Sequence, residues 1–343
     1  MSRNWGIKIL YVSFIGLFVL LSARSQVIST RVEATFGKTT TLASIRSIAV
    51  DSKDKVYILD NKDCDIKVFD GNGNLLRTIG KKGQGPGEFS APSSLEITAK
   101  DEIIVFDIGN HRISVFGTNG IVKKEIGTGR WSRLFSIRSL GDGLFVGDVI
   151  SYDGDQRIEE LLVLDEQMNT RALISKLPIR LSTEGIDMYP ASIRYGVLDG
   201  GDILWGNWLE DRVQISDSGG RIRSTIPLNF RQREITDSDR ERVTKAYSEG
   251  VKPDRELIFP PRFPYYFNFR VVGERVFFLS FERGPSSGHY HYVLNLRDRT
   301  FSKLLLDPDP MIFRDGTYYC TSEDDQGNPI VKKISYRLNG EHK

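Results

Sequence analysis

The chain predicts an all-β fold: a six-bladed β-propeller of four-stranded antiparallel blades. Three observations carry that prediction: a gapless internal repeat, Asn-Gly turns at matching places within it, and an N-terminal segment that matches the end of a repeat. Residues 47–80 read SIAVDSKDKVYILDNKDCDIKVFDGNGNLLRTIG and residues 94–127 read SLEITAKDEIIVFDIGNHRISVFGTNGIVKKEIG. They align at an offset of 47, with a third of positions identical. Each copy is an apolar strand, a Lys-Asp turn, a strand ending in Asp, a polar loop, a strand ending Val-Phe, an Asn-Gly turn and a fourth strand. Asn72-Gly73 and Asn119-Gly120 mark hairpins, because both turn positions favour positive φ. Four antiparallel strands per unit of this length make a propeller blade.

The later blades follow in order. Residues 136–174 carry a Gly-Asp-Gly turn and residues 192–226 repeat the second blade's loop, with Asp211-Arg212-Val213 echoing His111-Arg112-Ile113. Residues 267–306 form a fifth unit, and residues 311–338 supply only three strands. The missing strand is at the other end of the chain. Ala34-Thr35-Phe36-Gly37-Lys38 matches Arg77-Thr78-Ile79-Gly80-Lys81, so the N-terminal strand is expected to complete the sixth blade and remove the ring's open edges.

Residues 1–25 read as a cleavable signal peptide. Arg3 and Lys8 precede an apolar run over residues 9–21, with small residues at Ala23 and Ser25 before a cut after Ser25. The run is short of the roughly 20 residues that span a bilayer. The expectation is an exported protein, periplasmic or extracellular, a monomer without membrane attachment after cleavage, with residues 26–343 forming the propeller. There are 47 basic and 45 acidic residues, a net charge of +2, which leaves no global field for nucleic acid. Cys64 and Cys320 are too few for a disulfide framework; they fall in ring-neighbouring blades, and a bridge between them is left open.

Gly83-Gln84-Gly85-Pro86-Gly87-Glu88-Phe89, then Pro92, then Asp107, Asn110, Arg112, Ile113 and Phe116, resembles the NHL repeat. The whole chain is similar to exported bacterial six-bladed propellers built from such repeats, most specifically over residues 47–130. That resemblance implies the fold and an exported setting. It leaves function open, because NHL-type propellers include ligand-binding sensors, interaction scaffolds and a few lyases or lactonases.

The glycine-rich stretch invites a phosphate-cradle interpretation, which its details exclude. Gly80 and Gly85 have P-loop spacing, but Pro86 stands where the lysine belongs and a strand follows where a helix is needed. No Gly-x-Ser-x-Gly is present. His289 and His291 share one face of a strand without an identifiable third ligand, so no metal, cofactor or catalytic residue is assigned.

The first strands of the blades are expected to line the central channel. They contain Arg46, Arg138, Arg194, Arg270 and Arg314, three of them within Ser-Ile-Arg at residues 44–46, 136–138 and 192–194. Equivalent placement would converge several guanidiniums on one axis, which is costly unless each is paired or an anion binds. Either the arginines pair with acids such as Glu96, Asp142 or Asp199 and tie blades together, or they form a basic channel mouth for a carboxylated or phosphorylated ligand. Between blades four and five, residues 229–264 form a helical and Pro-rich insertion expected on the mouth face, with an N-cap near Thr236. Trp208, Tyr265, His289 and His291 are candidate rim residues. The expected function is a non-enzymatic binding or interaction module whose partner is a protein, a peptide or an acidic glycan. The alternative is a lactonase-like hydrolase or lyase with a metal in the channel.

Overall fold

A computed structural model describes residues 25–26, 28–131, 133–250, 255–285, 288–307, 310–314 and 316–338. The leader assigned to residues 1–25 lies outside the described residues apart from Ser25. Six antiparallel blades form a ring, as the repeats predict. Blade one is Ile45–Val50, Val56–Asp60, Asp65–Phe69 and Leu75–Ile79; blade two is Pro92–Ile97, Ile103–Asp107, Arg112–Phe116 and Val122–Gly127. Blade three is Leu134–Gly141, Leu144–Asp153, Gln156–Leu164 and Thr170–Ile179; blade four is Ile193–Val197, Ile203–Asn207, Arg212–Ser216 and Ile222–Pro227. Blade five is Asn268–Val272, Arg275–Arg283, His289–Asn295 and Phe301–Leu306. Blade six takes Ile312–Arg314, Thr317–Glu323 and Pro329–Leu338 from the end of the chain and Ile28–Phe36 from its start. Phe36 pairs with Val331, so the N-terminal strand closes the ring. Ser25–Gln26 adds a short parallel strand to the outer edge of blade five, beside Lys303 and Leu304.

The core is divided into wedges between blades rather than gathered at one centre. Tyr57, Leu59 and Ile66 of blade one pack on Leu95, Ile103 and Phe116 of blade two. Phe36, Tyr319 and Val331 of blade six pack on Ile48, Val56 and Phe69 of blade one. Both faces of a blade are therefore covered, and strands such as Val56–Asp60 are buried throughout instead of alternating. Cys64 and Cys320 are both buried, with no disulfide between them.

The glycine-rich joint between blades one and two is a fully committed piece of framework. Gly80 has φ 79°, and a Cβ there would lie 2.3 Å from the Phe89 ring. The Asn110 amide donates to Gly83 O at 3.0 Å, and the Arg112 guanidinium donates to Gln84 O, Gly85 O and Glu88 O at 3.1, 2.6 and 2.7 Å. The loop's own amides are engaged as well: Gly83 N donates to Phe89 O, Gly85 N to Glu88 Oε2 and Gly87 N to Glu125 Oε1. Those amides are unavailable to a phosphate. Asp107 completes the joint, accepting from Ser90 N and Ala91 N at 2.8 and 2.9 Å as the chain enters blade two.

The insertion contains one helix, Asp237–Gly250. Thr236 caps it: its Oγ1 accepts from Asp239 N, while the Asp239 carboxylate accepts from Thr236 N at 3.1 Å. Arg233 and Arg242 close on the same carboxylate at 2.7 and 2.8 Å, and chiefly the Arg233 hydrogen bond holds it well below the usual carboxylate range. Thr236→Ala is expected to cost about 1 kcal/mol, read as a lowered urea midpoint with faster amide exchange confined to the helix. The insertion docks on blades four and five, where Phe263 stacks on Phe281 at 4.6 Å and meets Tyr189 at 5.3 Å.

Candidate functional site: an arginine-lined channel

Cross-strand pairing fixes the level of every inner-strand residue. Val50, Ile97, Ser139, Val197 and Val271 occupy one level, each pairing with the residue that starts the buried run of its second strand. Counting back one residue gives Ala49, Glu96, Arg138, Gly196 and Arg270. Two residues further back come Ser47, Ser94, Ser136, Arg194 and Asn268, and then Arg46, Ser93, Phe135, Ile193 and Phe267 at the mouth. Arg314 lies at the far end of its strand, paired with Thr317.

The three Ser-Ile-Arg tripeptides therefore do not occupy equivalent positions. Bulges in the inner strands, after Ile45, Pro92 and Leu134, and joints of unequal length shift them. The arginines form a ladder that descends about 15 Å along the channel, at about 3.4 Å per residue, instead of a ring at its mouth.

Their partners are carbonyls of the next blade. Arg46 Nε donates to Ser93 O at 3.1 Å, Arg194 Nε to Phe267 O at 3.0 Å, Arg270 Nε to Met311 O at 3.0 Å and an Arg314 amino group to Val50 O at 3.1 Å. Arg46, Arg194 and Arg270 thus tie blades together, but through neutral acceptors that leave their charge in place. Among the described residues, no carboxylate lies within 4.0 Å of Arg46, Arg138, Arg194 or Arg270. Asp142 and Asp199, the expected acid partners, sit exposed on turns of the opposite face.

The Arg138 side chain makes no hydrogen bond among the described residues, and it lies at the same level as Arg270. Burial, reinforced by the Arg138 charge, pulls the Arg270 guanidinium down to about 10. Burial likewise lowers Arg194, with Glu159 and Asp148 opposing the shift. Ala49 and Gly196 contribute little side chain at the level where Arg138 and Arg270 meet.

Three acids sit beside this ladder. Glu96 accepts from Ser139 N at 2.9 Å, and burial raises its carboxyl despite the nearby Arg138. Asp148, bonded to the Ser136 hydroxyl, is also raised by burial. Glu159 accepts from Ile193 N at 3.0 Å and the Ser192 hydroxyl at 3.2 Å, and burial pushes it up to about 7. Glu96 also lines a cavity of about 700 Å³ on the opposite face, floored by Ile104, Ile126 and Phe145 and crossed by the Lys123–Glu102 and Lys124–Glu166 ion pairs.

The proposed rim residues are placed differently. Trp208 is 6% exposed, its indole donates to Pro190 O at 2.9 Å, and the Arg194 guanidinium stacks on it at 4.1 Å. Tyr265 is half-buried against Phe230. His289 and His291 belong to the third strand of blade five, away from the axis, and His291 is 3% exposed. No group of three or more His, Cys, Asp or Glu among the described residues is arranged to hold a metal. Sequence reasoning missed Phe135 and Phe267, which stand exposed at the mouth at the level of Arg46.

Fold and channel together define a six-bladed propeller with a cationic axis. The chain belongs to DUF4934, a family described as a domain of unknown function, whose model matches residues 40–293. No curated protein matches it. Among solved structures, a Bacteroides fragilis protein whose export is itself an inference is similar at 14% identity and TM-score 0.58, over 91% of this chain and 95% of its own. A DUF4221 member from Bacteroides vulgatus is similar at 12% identity and TM-score 0.54, over 91% and 99%. Virginiamycin B lyase from Staphylococcus aureus shares 11% identity at TM-score 0.46, over 90% and 99%, a likeness that carries no argument about chemistry. These likenesses show the fold alone. No helix among the described residues is long and apolar enough to cross a membrane.

Proposed function

We propose that this protein is an exported, non-enzymatic binding module, a monomer with an NHL-type second blade, that holds an anionic group of its ligand in the central channel. One observation carries the proposal: among the described residues, Arg46, Arg194 and Arg270 are fixed by neighbouring carbonyls with no carboxylate in ion-pairing range. Buried guanidiniums held by neutral acceptors keep a full charge and a large desolvation cost. A carboxylate or phosphate between Arg138 and Arg270 would offset that cost with charge-assisted bonds to donors already in place.

Thermal shift at matched ionic strength tests this with chloride, sulfate, phosphate, citrate and galacturonate, on the native chain and on Arg138→Gln. The native chain is expected to gain stability with at least one multivalent anion. Arg138→Gln is expected to melt close to the native chain without ligand, because it removes no hydrogen bond and the lost repulsion with Arg270 offsets the lost attraction to Glu96. It should bind the anion at least about tenfold more weakly, a loss near 1.4 kcal/mol. An anion shift of undiminished size in Arg138→Gln, or no shift in the native chain, would overturn the proposal.

A further inference from the structure

The mouth face carries a second feature, apolar rather than charged. Phe135, on the inner strand of blade three, and Phe267, just before the inner strand of blade five, are 58% and 49% exposed and border the open end of the arginine ladder. Phe267 is tied directly to that ladder, since its carbonyl accepts from Arg194 Nε. Blade three rises behind Phe135. Its second and third strands stay paired to Asp153 and Gln156, four residues beyond the level where the equivalent strand of blade one ends. At about 3.4 Å per residue the hairpin stands about 13 Å proud of the face. Tyr152 is 54% exposed on that wall, and the Arg133 guanidinium lies over its ring at 4.4 Å.

Two blades further round the ring stands the pad formed by the insertion and blade five, where Phe281 packs on Phe263, Phe267 and Tyr189. The mouth is thus bordered by two raised features, with exposed aromatic rings interspersed with Arg46, Arg133 and Arg194. Scattered apolar side chains on a surface need no explanation, but rings and cations gathered around one opening mark an interaction site.

We infer that this cleft docks a segment of a partner protein, acidic and carrying apolar side chains, its acids facing the arginines and its apolar groups resting on Phe135, Tyr152 and Phe267. Charge complementarity selects an acidic partner, and the type of ring selects a polypeptide over a saccharide. Sugar rings stack best on broad indole faces. Of the described indoles, Trp208 is buried beneath Arg194, while Trp131 and Trp205 are part-buried and hydrogen-bonded to Met168 O and Ser216 Oγ. The exposed rings are phenyl and phenol groups on separate elements that do not stack on one another, which suits separate apolar side chains of a polypeptide. The inference rests on the anion-binding channel for its electrostatic half and on the aromatic rim for the rest.

Fluorescence anisotropy of the full chain tests it with labelled peptides of four Asp-Phe, four Asp-Ser or four Lys-Phe repeats, beside labelled oligogalacturonate. Asp-Phe is expected to bind, to weaken as salt is raised, and to exceed both Asp-Ser and Lys-Phe at least tenfold. Phe135→Ser and Phe267→Ser should each weaken Asp-Phe while leaving the sulfate or phosphate thermal shift unchanged. That shift also reports that the variants remain folded, and it separates failure of the rim from failure of the channel. Equal binding of Asp-Phe and Asp-Ser, indifference to both Phe substitutions, or binding of oligogalacturonate in place of Asp-Phe would overturn the inference.

Discussion

Raising the pH from 5 to 8 should destabilise this protein by about 3 kcal/mol through Glu159 alone, and Glu159→Gln should abolish that share. The carboxyl sits on the third strand of blade three, 3% exposed, where burial raises it from 4.5 to about 7. A carboxyl raised on folding binds more protons in the folded state than in the unfolded chain between those two values. Stability therefore falls as pH rises through that window and is constant on either side of it. Asp148 and Glu96 are raised by the same cause and add slope of the same sign, so a residual slope remains in the variant. Carboxylates held low, such as Asp239 and Asp165, act in the opposite direction, at pH values below about 4. Urea unfolding at pH 5, 6.5 and 8 measures the effect, and equal slopes in the native chain and in Glu159→Gln would refute it. Glutamine retains an Oε1 acceptor for Ile193 N and Ser192 Oγ, so the comparison isolates charge from hydrogen bonding.

The same titration bears on the channel. A neutral Glu159 leaves the arginine ladder less compensated, because its charge supports that of Arg194. Anion affinity should therefore be higher at pH 5.5 than at pH 8, the trend expected when the site's own acids compete with the ligand for guanidinium charge.

What was legible in the sequence was local. Paired turns and alternating strands sit within one repeat, so blades one and two, the split sixth blade and the capped helix could all be placed from residue order. The channel was harder, because levels across a ring depend on bulges and joint lengths that a tripeptide match does not register. Ser-Ile-Arg recurs three times in three different registers. Aligning the blades instead on the inner-strand residues that share one level, Val50, Ser139 and Val271, puts Phe135 and Phe267 beside Arg46. Glu159 had a signal of its own: Glu159-Glu160 sits between Ile158 and the apolar run from Leu161 to Leu164, and a charge inside a buried strand calls for a partner.

Asp107→Ala should be among the most damaging substitutions in the ring, at about 4 kcal/mol. Asp107 is fully buried, and its carboxylate accepts from Ser90 N, Ala91 N, Gly109 N, Asn110 N and the Asn110 side-chain amide. Alanine would leave those donors facing a cavity without water, and unmade bonds cost more than made ones contribute. The loss would spread, because Asn110 is also the clamp on Gly83 O and Glu88 O, so the glycine joint loosens with it. Asp60 holds the entry to blade one in the same way, through Ala43 N and Ser44 N, which makes Asp60→Ala a second instance of one device. At the entry to blade four, Glu159 takes that place, accepting from Ile193 N and Ser192 Oγ, and its charge is marginal where the Asp107 joint is secured by five donors. Chemical denaturation should rank the three as Asp107→Ala, Asp60→Ala, then Glu159→Gln at pH 8, with the last neutral or stabilising. A destabilising Glu159→Gln at that pH would mean that the blade-four joint depends on the carboxylate's charge and not on its oxygen alone.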